Sequence, residues 1–311
     1  MTLIITQPIE TNLENEKLNI LILAAGLGTR LRPLTEDMPK PLVPVVDKSI
    51  LEIQAMRARE LGNVRLHANA HYLAEQVIAE GNRLGFEKVW EEPEILGTAG
   101  PLKRIYNEGY RGGLLVMNGD AYCRFDLNKF MENARRDRCD VTLLAVEFSQ
   151  VNTFRVDDNG HLVGVVGRFG SEDGKPATFS GVSWYSDAAL ARIKDCEFDI
   201  REFWKQELAA GRPILVDCSQ MNATWIDMGS PAGLKAACDA RLEELGLSNW
   251  CGGQVAGEVR ALVSGHSVVQ DGVKIPVSAR IENAILFEGA AVEAGETVKD
   301  EIRGRGFSWK L

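Results

Sequence analysis

The chain has 311 residues, 45% hydrophobic and 25% charged, as expected of a soluble globular protein with room for a large core or two domains. Its net charge of −9 excludes a dedicated nucleic-acid binder, whose phosphate contacts need a basic face, although a few local cations suffice for a small phosphate. The six cysteines form no Cys-x-x-Cys pair, which argues for reduced thiols in a cytoplasmic protein and against disulfides or a structural zinc site.

Residues 1–17 hold a short apolar run followed by polar and acidic residues, and read as an N-terminal arm. They lack the cationic start and long apolar stretch of a secretory signal, and no run in the chain reaches membrane-span length. Leu18 to Ala25, LNILILAA, is a short continuous apolar run before glycines, which predicts a buried strand. Ser49 to Gly62 has apolar residues at helical spacing behind a serine cap. VRLHANA then predicts a strand and HYLAEQVIAEGNRLG a helix. GGLLVMNGD is a strand ending in the polar turn Asn118-Gly119-Asp120; LNKFMENARRDR is an amphipathic helix, and VTLLAV another buried strand. Alternating strands and helices predict an α/β domain over residues 18–245 with a mainly parallel sheet. Ligands of such sheets sit beyond the carboxyl ends of the strands, where the loop after Ala25 and the turn at Asp120 both lie.

FRVDDNGHLVGVVG predicts a hairpin turning at Asp158-Asn159-Gly160. After TFSGVSWY come a helix from Ile200 to Ala210, a strand from Ile214 to Asp217, and a turn leading into a helix that ends near Leu245. In residues 246–311 helical periodicity is gone. Ile275, Ile281 and Phe287 are six apart, as are Val292 and Val298, with a one-residue slip between the two sets. Ala279, Ile285 and Ala291 follow the first three by four. Such hexads predict a short parallel, left-handed β-helix-like segment, with an ordinary β-rich tail as the alternative.

Backbone amides approach a phosphate only where side chains are absent, so Gly26 and Gly28 permit a close cradle. Leu31 stands where a dinucleotide fingerprint needs its third glycine, and the Gly-Lys-Ser/Thr of a phosphate loop is missing. Arg30 offers a planar fork for phosphate oxygens, and Lys40 is braced between Pro39 and Pro41. A proline-rich surface loop with incidental cations is the plainer reading. Asp120 in VMNGDAY and Asp227 in TWIDMGSP stand at turns; two carboxylates plus substrate phosphates suit Mg²⁺, while turn capping explains each aspartate alone equally well. His67 and His71 straddle a strand-to-helix junction without a His-Glu-x-x-His pattern and read as structural. Trp184 and Trp225, beside motif residues, read first as packing and second as walls of a pocket.

AAGLGTRLRPLT…MPKPLVPV, EEPEILGTAGPL, VMNGDAY and TWIDMGSP, in this order and spacing, resemble the sugar-1-phosphate nucleotidyltransferase family over residues 18–245. The hexad tail resembles the short β-helix of some mannose-1-phosphate guanylyltransferases, and TFSGVSWY resembles the N-acetylmuramate-1-phosphate uridylyltransferase branch. The resemblance implies a Rossmann-like catalytic domain that joins an NTP to a sugar 1-phosphate and releases pyrophosphate. It implies that Ala24, Ala25, Gly26, Gly28 and Thr29 hold the nucleotide, with Glu92, Pro93, Gly97, Thr98 and Ala99 at base and ribose. Arg30 would bind the outer phosphates, Lys40 would neutralise the reacting ones, and Asp120 and Asp227 would hold Mg²⁺. Asn118, Arg168 and Gly181 would face the sugar. The family's Glu-Lys-Pro is absent; GVVGRFGSEDGKP stands in its place, leaving Arg168 or Lys175 for the sugar phosphate, and NTFRV replaces a Tyr-Gly pair. The implied partners are an NTP and a sugar 1-phosphate, with a homo-oligomer through the C-terminal segment and neither nucleic acid nor membrane. Two alternatives stand beside this reading: a catalytically silent nucleotide-sugar-binding subunit, and a cytidylyltransferase for a non-sugar phosphate such as phosphocholine.

Overall fold

The computed structural model describes residues 17–137, 139–255 and 257–311, so the arm expected at the N-terminus lies, Lys17 apart, outside the described residues. The strand Leu18–Leu23 occupies the middle of a ten-stranded sheet, with Val64–Ala70 parallel to it on one side and Leu114–Asn118 parallel on the other. Neighbours on both edges and helices on both faces explain its unbroken apolar run. Ile20 and Ile22 enter one core cluster with Leu115 and Phe130, whereas Leu21 enters another with Val116, Leu143 and Trp204. Successive side chains thus feed opposite faces of the sheet, the period of two that a strand imposes.

Lys88–Glu91 extends the parallel half beyond Val64–Ala70. Next to Leu114–Asn118 the direction reverses. The eleven-residue strand Lys175–Tyr185 runs antiparallel to it and to Val141–Val146, which in turn carries Ile214–Asp217 in parallel. The long strand shifts register between Phe179 and Ser183, where Gly181 has φ +88° and its Cα faces the Asn118 side chain so closely that a Cβ would lie 2.7 Å from it. Glycine is therefore required there on both counts. The start of the same strand pairs with Phe154–Val156, which forms the expected hairpin with Leu162–Val165.

Helix Ile50–Arg59 begins at Ser49, whose hydroxyl accepts the Glu52 N–H at 3.1 Å. The second helix is shorter than its sequence pattern, Ala74–Arg83, and Pro231–Leu245 ends where expected with Ser230 as its cap. Helices Gly100–Asn107 and Asp187–Arg192 have no counterpart in the sequence reading. Among the described residues no helix is long and apolar enough to cross a membrane.

In the C-terminal region short strands stack in parallel ladders. Asn249 pairs with Ser267 and Val263 with Ile281, an advance of 18 residues; Ile281 pairs with Val298 and Ile285 with Ile302, an advance of 17. The slip in the hexads is this change of step, because the path from Ile281 to Val298 replaces one six-residue side by five. Phe307–Lys310 folds back antiparallel on Glu301–Gly304 and ends the ladder. Val268, Ile285 and Ile302 pack with Val43, Val45 and Leu234, and the Gln270 amide donates to the Val46 carbonyl at 2.9 Å. The ladder thus sits beneath the segment that carries Lys40.

Candidate active site

A cleft opens at the carboxyl ends of Leu18–Leu23 and Leu114–Asn118, walled by the loop from Ala24 to Leu31, by Lys40 and Pro41, and by the segment Asn118 to Asp120. After the strand, Gly28 leads into a single 3-10 turn, Thr29–Leu31, and the Thr35 hydroxyl donates to the Gly28 carbonyl at 2.8 Å. A second 3-10 turn, Lys40–Leu42, starts at Pro39. Its geometry buries the Lys40 side chain to 7% exposure and aims Nζ at Asp120 Oδ2, 2.9 Å away.

Asp227 ends the strand Trp225–Asp227, which pairs antiparallel with Ala121–Cys123 so that Asp227 lies opposite Ala121. Asp120 is the preceding residue, and its carbonyl accepts the Met228 N–H at 3.4 Å. The two aspartates, far apart in sequence, are therefore neighbours across one hairpin-like pair. Arg30 Nη1 stands 3.4 Å from Asp227 Oδ2. Gly229 leaves the space for it, since a Cβ there would fall 2.0 Å from the Arg30 guanidinium. All four residues singled out for charge chemistry thus meet in one place, as two cation–carboxylate pairs. Among the described residues no cluster of three or more His, Cys, Asp or Glu side chains is placed to hold a metal.

The far wall holds Ile95, Gly97 and Thr98. Behind it lies a buried relay. The Ala24 N–H donates to Asn69 Oδ1 at 2.8 Å, Asn69 Nδ2 donates to Glu92 Oε1 at 2.9 Å, and Glu92 Oε2 accepts the Leu96 N–H at 3.0 Å. Glu92 is 1% exposed with both oxygens engaged, so its place is behind the wall, tying the glycine loop to the segment 95–98. Pro93 and Ala99 likewise do not line the cleft; Ala99 is buried and its N–H donates to the Phe198 carbonyl at 3.1 Å.

A second cleft adjoins the first and shares Leu23, Thr98 and Asn118 with it. Arg168 lines it, as do Thr153, Phe179, Asp199 and Arg201. Gly181 stands behind Asn118. Lys175 is elsewhere, on the outer surface, 3.1 Å from Asp158. Trp184 packs over Gly113, and the Trp225 indole donates to the Ser180 carbonyl at 2.7 Å. His67 is buried between Trp90 and Tyr110, with ring centroids at 5.2 and 4.5 Å, and His71 Nδ1 is 2.7 Å from the Glu92 carbonyl.

Sequence reasoning missed Asn69, Gly229 and Arg201. Asn69 carried a usable signal, a polar residue at the carboxyl end of a buried strand, VRLHANA. Gly229 and Arg201 carried none, because their partners, Arg30 and the second cleft, are assembled only by the fold.

A mixed, largely parallel sheet with a glycine loop at its central strand defines a nucleotidyltransferase α/β fold. Residues 19–161 match the family described as nucleotidyl transferase. It is 24% identical to the UTP–glucose-1-phosphate uridylyltransferase of Synechocystis sp., over 91% of this chain and 86% of the relative. It is 28% identical to the mannose-1-phosphate guanylyltransferase of Mycobacterium tuberculosis, over 90% of this chain and 82% of the relative. The crystal structure of HddC from Yersinia pseudotuberculosis complexed with GMP-PN superposes with a TM-score of 0.57 and 25% identity, covering 72% of this chain and 99% of that one.

Proposed function

We propose that the protein transfers a nucleotidyl group from an NTP to a sugar 1-phosphate, giving an NDP-sugar and pyrophosphate, with Mg²⁺ as cofactor. One observation carries the reading: Arg30, Lys40, Asp120 and Asp227, drawn from three separate stretches of sequence, converge as two ion pairs beside a glycine loop. The relatives named above act on sugar 1-phosphates by their names, which supports the same acceptor class here.

In this reading an oxygen of the acceptor phosphate attacks the α-phosphorus of the NTP. A new P–O bond forms as the bond to the β-phosphate oxygen breaks, and pyrophosphate leaves with the electron pair. The attacking group is already an anion, so no side chain has to be activated. What the site must supply is alignment and positive charge. Gly26 and Gly28 admit the triphosphate to the backbone, Arg30 takes its outer oxygens, and Lys40 meets the reacting phosphoryl group. Two aspartates at one end of a strand pair, each already beside a cation, suit a hard divalent ion whose remaining ligands are phosphate oxygens, so Asp120 and Asp227 would hold Mg²⁺. Bound there, it would add charge stabilisation at the α-phosphoryl group and the leaving pyrophosphate.

Pyrophosphate release, measured with the four NTPs against a set of sugar 1-phosphates, tests the reading. Release from at least one combination, lost on chelation and restored by Mg²⁺, is expected. No release from any pair sinks it and leaves the silent nucleotide-sugar-binding subunit or, if CTP with phosphocholine releases pyrophosphate, the non-sugar acceptor.

A further inference from the structure

The second cleft holds two guanidinium groups for which the NTP chemistry has no use. Arg201 Nε lies 2.9 Å from each carboxylate oxygen of Asp199, and its Nη2 lies 2.6 Å from Oδ2. Arg168 lines the same cleft and its charge also acts on Asp199. Two guanidiniums against one carboxylate leave net positive charge, set against apolar walls such as Val165, Phe179 and Trp204 that strengthen it by excluding water. Arg201 is also fixed relative to the first cleft. The N–H of its neighbour Ile200 donates to Thr98 Oγ1 at 3.0 Å, and Thr98 lines both clefts. Lys175, the other cation that the sequence offered for the sugar phosphate, points away with its side chain 74% exposed.

We propose that Arg201 and Arg168 together grip the phosphate of the acceptor, and that Asp199 holds Arg201 in place until that phosphate displaces it. The inference rests on the transferase reading in taking the second cleft as the acceptor's. A phosphate presents three oxygens and up to two charges to a planar fork that a carboxylate fills with two oxygens and one charge, so the exchange favours the phosphate. Asp199 Oδ1 still accepts the Arg201 N–H at 3.0 Å as the cap of helix Ile200–Ala209, so the carboxylate stays anchored when its salt bridge opens.

Calorimetric binding of glucose 1-phosphate and mannose 1-phosphate to the full chain tests this, with NTP binding as the control for folding. Arg201→Gln and Arg168→Gln are expected to weaken binding of whichever sugar phosphate the wild type takes by about 10- to 100-fold, the worth of a charged hydrogen-bonding partner. NTP binding should stay within about twofold, and Lys175→Gln should change neither. Asp199→Asn keeps the helix cap but removes the competing charge, so it should tighten sugar-phosphate binding. The proposal is overturned if the wild type binds neither sugar phosphate, if Arg201→Gln binds like the wild type or loses NTP equally, or if Asp199→Asn weakens binding. A chain that binds sugar phosphate through Arg201 yet releases no pyrophosphate from any NTP keeps the grip and loses the transferase reading.

Discussion

Lys40 Nζ lies 2.9 Å from Asp120 Oδ2, an ion pair between residues eighty positions apart whose cation is buried and whose carboxylate is nearly half exposed. The buried partner is the one held by the fold, through Pro39, the 3-10 turn and the ladder beneath it. A cation so constrained loses little freedom on meeting a phosphate, whereas Asp120 can turn to another ligand. Lys40→Met should therefore lower kcat for pyrophosphate release by about 10²- to 10³-fold, the usual cost of removing one preorganised charge at a reacting centre. Because methionine keeps the buried stem, a thermal melt should show the fold retained.

Gly229→Ala separates site geometry from stability. Its methyl group would meet the end of the flexible Arg30 side chain, which is 64% exposed and free to swing outward. The melting temperature should stay within about 2 °C, because only the exposed end of Arg30 has to move. The Arg30–Asp227 contact would be lost, and kcat/KM for the NTP should fall by about tenfold, the equivalent of one such contact. An unchanged kcat/KM would show that Arg30 does not need this position.

His67 predicts a pH-dependent stability. Burial in the aromatic stack pushes its pKa down to about 4, with Arg65 adding to the effect, and neither ring nitrogen has a hydrogen-bond partner in the structure. The folded state thus holds the neutral ring while the unfolded chain titrates near its ordinary value of about 6.5. The sign follows: between these values the unfolded state binds more protons, so stability is intact above about pH 6.5 and falls as pH drops towards 4, by at most about 3 kcal/mol. His67→Phe keeps the stacking on Trp90 and Tyr110 and removes the titration. Its unfolding free energy should be flatter by about one proton across that window, and no lower than wild type at pH 5.

Glu244 ties helix Pro231–Leu245 to the strand pair Ala121–Cys123 and Trp225–Asp227. Arg57 Nη2 is 2.6 Å from its Oε1, Arg241 Nη1 is 3.2 Å from Oε2, and the Tyr122 hydroxyl also donates to it. Burial pushes the carboxyl up, but the hydrogen bonds from Tyr122 and Arg57 more than offset this and hold it below the ordinary carboxylate range. Arg241 continues the network to Asp47, beside the Lys40 segment. Glu244→Ala leaves two arginines facing each other and should cost about 2–4 kcal/mol in denaturant unfolding, with Glu244→Gln costing less. A loss below about 0.5 kcal/mol would reduce the network to surface decoration.

The parallel strands and the glycine loop were legible because continuous apolar runs and turn residues are local signals. The strand Lys88–Glu91 was not, since four residues with one buried tryptophan show no period. Helix Gly100–Asn107 was hidden behind glycine and proline at its start, where proline is in fact tolerated. In the site, Arg30, Lys40 and the two aspartates could be picked by residue type, but not the pairing that sets Arg30 against Asp227. Glu92 sits in the acidic stretch EEPE, which reads as exposed; its burial depends on Asn69, brought from another strand. Arg201 follows Asp199 by two residues and reads as a solvated pair at a helix start, so its cleft is visible only in three dimensions.

Leu23, Thr98 and Asn118 belong to both clefts at once. Under the proposed assignment, any substitution at these three is felt by both substrates, so they form a seam that cannot drift towards a new acceptor without disturbing the donor. Divergence in substrate choice has freer scope on the remote walls of the second cleft, at Thr153, Val166 and Phe179. Those are the positions from which a library for altered acceptor use should be drawn, with the seam held fixed.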